Sequence, residues 1–178
     1  KTYTNNQNAL INAKELINYT KCQSIKLEVN ENHLKLVTYL SKKNIDVVSH
    51  IGVRPQEFKD FSKIRIVGKK KNERNKLINL ALDLEASGTC ILLLECIDKE
   101  AAMEISSRVK IPTIGIGSSI NCDGQILVVN DILGLSPNLN KPKFVKTYKN
   151  LSVDIKKAIK KYSKDVRLKK FPNKKYSY

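Results

Sequence analysis

Seven consecutive residues, Cys90-Ile91-Leu92-Leu93-Leu94-Glu95-Cys96, form a nearly unbroken apolar run that carries one carboxylate near its end. A segment this short with no polar side to offer water reads as a strand covered on both faces, the pattern of a buried parallel sheet. Helical patterns flank it. Upstream, between Glu73 and Ser87, Leu77, Ile78, Ala81 and Leu84 recur on one face, and Gly88 supplies the stop. Downstream, Lys99 to Val109 reads as a second helix. A strand between two helical crossovers pairs in parallel with its neighbours, which places the chain in the α/β class.

The same alternation runs along the whole sequence. Residues 5 to 19 put Ala9, Leu10, Ala13, Leu16 and Ile17 on one helical face. Ser24-Ile25-Lys26-Leu27-Glu28 alternates polar and apolar residues as a strand does, and a helix follows through Leu34, Val37 and Leu40. Asp46-Val47-Val48-Ser49-His50-Ile51 is a second strand, closed by Gly52 and the turn signal at Pro55. Residues 59 to 75 are polar and basic, with Gly68 and Lys69-Lys70-Lys71, and read as a long excursion or flap. Ile111 to Gly117 and Gln125 to Val129 give two more short strands, and the remainder is helical, with Ile155, Ala158, Ile159, Tyr162 and Val166 on one face. Five strands fit an open doubly wound sheet or part of a (β/α)8 barrel, and the polar residues at the strand ends bear on the choice.

At 178 residues, 41% hydrophobic and 28% charged, the chain is expected to form a single domain, residues 1 to 178. Only 7 Gly and 5 Pro set aside collagen-like, Pro-rich and disordered chains. No apolar run approaches the roughly 18 residues of a membrane span, and the N-terminal stretch lacks the apolar core of a signal peptide, so a soluble, cytoplasmic protein is expected. Cys22, Cys90, Cys96 and Cys122 form no CxxC pair, and neither a disulfide framework nor a zinc knuckle is indicated. The net charge of +16 raises the question of a nucleic-acid partner. Only Arg54, Arg65, Arg74, Arg108 and Arg167 among the 33 basic residues carry the fork used to read base edges, and the lysine excess reads as a solvated surface.

Polar residues that are awkward in a core sit within or at the carboxyl ends of the strands: Lys26 and Glu28 on the first, His50 on the second, Glu95 on the third. In a barrel those ends converge on one mouth, where catalytic side chains are found. Lys26 and Glu28, two residues apart, also suit a structural pair, and a strand histidine also suits a satisfied core position. Glu95 is the sharpest, because a carboxylate after three leucines is costly unless it is partnered or its basicity is used. Gly115-Ile116-Gly117-Ser118-Ser119-Ile120 is not a dinucleotide fingerprint, since Ile120 stands where the third glycine belongs. No P-loop, HExxH, GxSxG or EF-hand pattern is present.

Several words of the sequence occur in a telling order: His50-Ile51-Gly52 with Pro55-Gln56, Leu94-Glu95-Cys96, Ile111-Pro112-Thr113-Ile114-Gly115-Ile116-Gly117, Cys122-Asp123-Gly124-Gln125-Ile126-Leu127-Val128 with Asp131 and Leu133-Gly134, Pro142-Lys143-Phe144-Val145, and Phe171-Pro172. From about Tyr3 to the C-terminus the chain resembles the ketopantoate hydroxymethyltransferases. The resemblance implies a (β/α)8 barrel, Mg2+ dependence, a decameric assembly and a one-carbon transfer. In that transfer 3-methyl-2-oxobutanoate takes a hydroxymethyl group from 5,10-methylenetetrahydrofolate to give 2-dehydropantoate in pantothenate biosynthesis. It implies Glu95 as proton acceptor, Lys26 as a substrate-binding lysine, Glu28 as a magnesium-site carboxylate and His50 as a pocket residue. The competing expectations are another Mg2+-dependent keto-acid barrel of the phosphoenolpyruvate mutase and isocitrate lyase type, and an inactive basic nucleic-acid-binding remnant.

The chain departs from the resemblance in two places. Gly117-Ser118-Ser119 stands where the family usually has Gly-Ala-Gly, which would strain Ser119 if that position needs positive φ, and Val67 stands where a flap glutamine is usual. A complete barrel takes about 250 residues, so this chain is expected to hold only the fourth to eighth strands. The family's two metal-binding aspartates and its substrate serine are then expected upstream, and residues 1 to 178 alone are expected to be inactive.

Overall fold

A computed structural model describes residues 2–57, 64–136 and 141–178. The chain divides into two compact units, Lys1–Ile126 and Leu127–Tyr178.

The first unit opens with α1 (Asn6–Thr20), whose Asn5 side chain caps the helix by accepting from Asn8 N at 2.8 Å. There follow β1 (Ser24–Glu28), a short 3-10 turn, α2 (Leu34–Ser41), β2 (Asp46–Gly52), a second 3-10 turn (Pro55–Glu57), α3 (Lys71–Ala86), β3 (Thr89–Glu95), α4 (Lys99–Arg108), β4 (Thr113–Ile116) and β5 (Gly124–Gln125). All pairs are parallel and the spatial order is β1-β2-β3-β4-β5. Strand order equals chain order, so the described sheet is singly wound and has no point at which the order reverses.

The core lies on one side of that sheet. Ile25 and Leu27 of β1, Val47 and Ile51 of β2, and Leu92 and Leu94 of β3 form a single cluster with Ala9 and Ala13, Val37 and Leu40, Ala81 and Leu84, and Ala101 and Ile105 from the four helices. A doubly wound sheet would place helices on both sides, so the structure decides against that alternative. Ser49 and Thr89 are polar members of this buried face and satisfy each other, their hydroxyls 2.8 Å apart.

The pattern reading holds for β1, β2 and α1 to α4 and fails elsewhere: the remainder, expected to be helical, is helical only over Val129–Ile132 and Leu151–Arg167 among the described residues. The apolar run of β3 is covered on one face only: Leu92 and Leu94 are buried, while Ile91, Leu93 and Glu95 are half-buried on the other. The expected strand from Gln125 to Val129 shrinks to Gly124–Gln125, and Val129–Ile132 is a helical turn, α5. Its partner β4 ends at Ile116, where Gly117 turns the chain away at φ 65°, and pairing ends where Ile126 N donates to Gly115 O at 3.1 Å. Helix α3 begins at Lys71, inside the expected flap. Residues 59–63 of that flap lie outside the described residues.

Asp123 pins the start of β4. Its carboxylate accepts from Thr113 N at 2.7 Å and from Thr113 Oγ1 at 2.9 Å, and those two bonds hold it below the usual carboxylate range. A carboxylate with a lowered folded pKa contributes stability that is complete at neutral pH and is lost as the pH falls from about 4 through that lower value. Asp123→Asn is therefore expected to flatten the stability difference between about pH 7 and pH 3 seen in urea midpoints; an unchanged pH dependence would remove Asp123 from this role.

The second unit contains α5 and α6 (Leu151–Arg167). Ile155, Ile159, Tyr162 and Val166 recur on one side of α6, and the Tyr162 ring meets Phe171 edge-on at 5.6 Å. Lys161 and Asp165 pair at 2.7 Å, one turn apart. Among the described residues no helix is long and apolar enough to cross a membrane.

Candidate active site

Register decides which side chains meet. Parallel partners point to the same side of a sheet, and so do residues two apart along a strand. Lys26 is opposite Val48, Glu28 opposite His50, His50 opposite Leu93, and Glu95 opposite Gly52 on one side and Ile116 on the other. Lys26, Glu28, His50 and Glu95 therefore all project from the face that the helices leave open. All but Lys26 lie at the carboxyl ends of β1, β2 and β3; Lys26 is one pleat deeper on β1.

His50 and Glu95 are in direct approach, with Nε2 3.2 Å from Oε2. Gly52 makes this reach possible. It is the β2 residue opposite Glu95 and has no side chain, so nothing stands between the carboxylate and His50 two residues earlier on β2. The imidazole is fully buried, yet the approach to Glu95 lies off the direction of a ring N–H, and neither ring nitrogen has a hydrogen-bond partner among the described residues. The contact is thus a close approach without a hydrogen bond. A buried polar group left this way is costly by about 1–3 kcal/mol, so the satisfied core histidine considered from sequence is not what the fold contains.

Glu28 is buried beside His50, and its Oε2 accepts from Gln56 N at 3.2 Å. This gives the Pro55-Gln56 word a physical role. Pro55 opens the 3-10 turn with its fixed φ, Arg54 pairs with Glu57 at 2.8 Å across it, and the turn presents one backbone N–H to the Glu28 carboxylate. Lys26 is exposed on the same strand and makes no ion pair with Glu28, so the structural-pair alternative is not realised.

Sequence reasoning left several neighbours unassigned. Tyr3 Oη donates to Glu28 O at 3.2 Å, and burial, followed by the charges of Glu28 and Glu57, pushes its phenol up. Cys96, next to Glu95, has its thiol pushed up to about 11, first by burial and then by the Glu95 charge, which keeps it a poor nucleophile. Ser118 Oγ reaches back to the end of β3. The hydrogen bonds of Tyr3 and Ser118 join residues 21 to 25 positions apart, and no local pattern announces them. Gly52 alone had a legible signal, as a glycine closing a strand. Ser119 does not show the strain expected of it. The left-handed position belongs to Gly117, φ 65°, and Ser119 is buried with its hydroxyl accepting from Asn121 N at 3.2 Å. Val67 is tied by its backbone, with N donating to Cys96 O at 3.0 Å and O accepting from Asp98 N at 2.7 Å.

A magnesium ion takes oxygen ligands, commonly one or two carboxylates together with substrate and water. Buried Glu28 fits as one such carboxylate. Among the described residues no group of three or more His, Cys, Asp or Glu converges to hold a metal.

A singly wound parallel sheet that gathers a buried histidine and two carboxylates at adjacent strand ends defines an α/β protein with a polar cluster at the carboxyl edge of its sheet. The family model for ketopantoate hydroxymethyltransferase matches residues 1–174. The 3-methyl-2-oxobutanoate hydroxymethyltransferase of Pelagibacter ubique is 44% identical over 177 residues, covering 99% of this chain and 67% of that protein. The proteins of the same name from Helicobacter pylori and Campylobacter concisus are 42% and 38% identical, covering 99% of this chain and 65% of theirs. The chain belongs to the ketopantoate hydroxymethyltransferase family, and it spans about two thirds of the length of these curated relatives.

Proposed function

We propose that this chain is the larger part of a 3-methyl-2-oxobutanoate hydroxymethyltransferase, a cytoplasmic, decameric (β/α)8 barrel of which it supplies the fourth to eighth strands as one domain. The observation that carries the reading is the open sheet face on which Lys26, Glu28, His50 and Glu95 stand together, with His50 and Glu95 3.2 Å apart.

The reaction removes the proton from C3 of 3-methyl-2-oxobutanoate and joins that carbon to the one-carbon unit of 5,10-methylenetetrahydrofolate. Glu95 takes the C3 proton as general base. Its position at a strand end, partly shielded from water, suits that task. His50 packs its fixed, fully buried ring against the Glu95 carboxylate and so orients it. Lys26 places its ammonium toward the keto acid's carboxylate. Glu28, held by the Gln56 N–H, is one carboxylate of a magnesium site. When bound, the ion polarises the ketone and stabilises negative charge on its oxygen.

The test is a substrate panel on the complete protein with Mg2+. Formation of 2-dehydropantoate from the keto acid and 5,10-methylenetetrahydrofolate is the expected result. Cleavage of a C–C or C–P bond in another keto acid, without C3 proton exchange in 3-methyl-2-oxobutanoate, would overturn the reading.

A further inference from the structure

Glu28 is the last residue of β1, and both its side chain and its backbone are held. The carboxylate is buried, with Oε2 accepting from Gln56 N at 3.2 Å. Val29 N donates to His50 O at 3.0 Å, which ties the chain to β2 just past the strand end. Successive residues of a strand offer their backbone groups to opposite edges, so the Glu28 carbonyl faces the edge of β1 away from β2. There Tyr3 Oη donates to Glu28 O at 3.2 Å, 25 residues away in sequence. Arg54 Nη1 donates to the next carbonyl, Val29 O, at 3.2 Å.

The Tyr3 hydroxyl is itself fixed in place. Asn12 Nδ2 of α1 donates to Thr2 O at 2.5 Å, which secures the backbone beside Tyr3. The Tyr3 ring meets the His33 ring edge-on at 5.9 Å, and a capping box joins His33 to Asn30. A phenol carries its proton at neutral pH and so can donate to a carbonyl. The segment before α1 thus grips the end of β1 through one hydroxyl.

From this geometry we infer that Tyr3 is a positioning residue for Glu28, its hydroxyl anchoring the carboxyl end of β1 so that the buried carboxylate keeps its place beside His50 and the Gln56 N–H. The inference rests on the reading of Glu28 as a magnesium-site carboxylate. Tyr3 acts through the Glu28 backbone. Without its hydroxyl the Glu28 carbonyl loses this donor, and the strand end is free to shift against the Pro55–Glu57 turn. Partners that orient a metal ligand are typically worth about tenfold to a hundredfold in metal affinity, and an anchor on the ligand's backbone belongs at the low end of that range.

The experiment titrates the complete protein with Mg2+ by calorimetry, alone and with saturating 3-methyl-2-oxobutanoate. The proteins compared are wild type, Glu28→Gln, Tyr3→Phe, and a variant with p-aminophenylalanine at position 3, which keeps a donor on the same ring. Tyr3→Phe is expected to weaken Mg2+ binding about tenfold, and the amino variant to recover most of it. In D2O, loss of the keto acid's C3 proton signal should show the same change as a raised Mg2+ requirement, with kcat for exchange restored at saturating Mg2+. Phe and p-aminophenylalanine share the ring that meets His33, so comparing them equally far below their thermal midpoints separates the donor from packing and from stability. Wild-type Mg2+ affinity in Glu28→Gln, or no binding to wild type under either condition, would overturn the reading of Glu28 and this inference with it. Weakened binding in Glu28→Gln together with wild-type affinity in Tyr3→Phe, or equal affinities for Phe and p-aminophenylalanine, would overturn the role of Tyr3 and leave the reading of Glu28 standing.

Discussion

Glu95→Gln in the complete protein is expected to slow C3 proton exchange in 3-methyl-2-oxobutanoate by roughly a thousandfold, within the range general bases contribute. Glutamine keeps the shape of the side chain and removes its capacity to take a proton. The amide can still lie near His50 Nε2, so the sheet end should keep its geometry and substrate binding should change little. The effect therefore belongs in kcat, the signature of an interaction made in the transition state. A large rise in KM with kcat retained would instead make Glu95 a binding residue. If the variant exchanges the proton at the wild-type rate, another group on the open face is the base.

Gly52→Ala is expected to destabilise the protein by about 3 kcal/mol or more and to abolish exchange. Two effects add at this position. Gly52 has φ 93°, a conformation that residues with a Cβ rarely adopt, and a Cβ there would overlap the Glu95 carbonyl oxygen and lie 2.7 Å from Ile97 Cγ1. The β2 and β3 backbones would have to part where Val53 N now donates to Glu95 O, and the carboxylate would move with its strand. A urea midpoint together with the exchange rate checks both effects. A variant as stable and as active as wild type would show that the close approach of β2 and β3 is not needed.

Much of this arrangement is legible in the sequence because it is local. The alternation in Ser24–Glu28 and the β-branched run at Val47 and Val48 specify β1 and β2, and charged residues inside such segments mark positions that a core would not choose. Parallel pairing then brings those residues to one face, a consequence of a period of two that needs no further information. What the sequence hides depends on partners distant along the chain. The β3 run reads as covered on both sides because apolar content does not say which face the helices take. Ile126, Leu127 and Val128 look like a strand because nothing in them reports that β4 is too short to pair with them. The grip of Ser118 on the turn after Glu95 is visible only once β4 lies beside β3.

The wiring of β1 to β4 also explains why the charged face is kept open while the other is sealed. Leu92 and Leu94 complete the helix-covered core, and the alternate residues Ile91, Leu93 and Glu95 form the floor and rim of a site. The apolar residues of that floor limit water around Glu95, and the polar ones stand at the strand ends, where loops from β2 and β4 approach them.

The most direct measurement is a crystal structure of the complete protein with 3-methyl-2-oxobutanoate bound. The expected result is a Glu95 carboxylate oxygen about 3–3.5 Å from C3 of the keto acid, with His50 on the far side of that carboxylate and Lys26 facing the substrate's own carboxylate. A keto acid bound on the open face with its C3 turned away from Glu95, or bound somewhere else in the molecule, would contradict the assignment of Glu95 as the base.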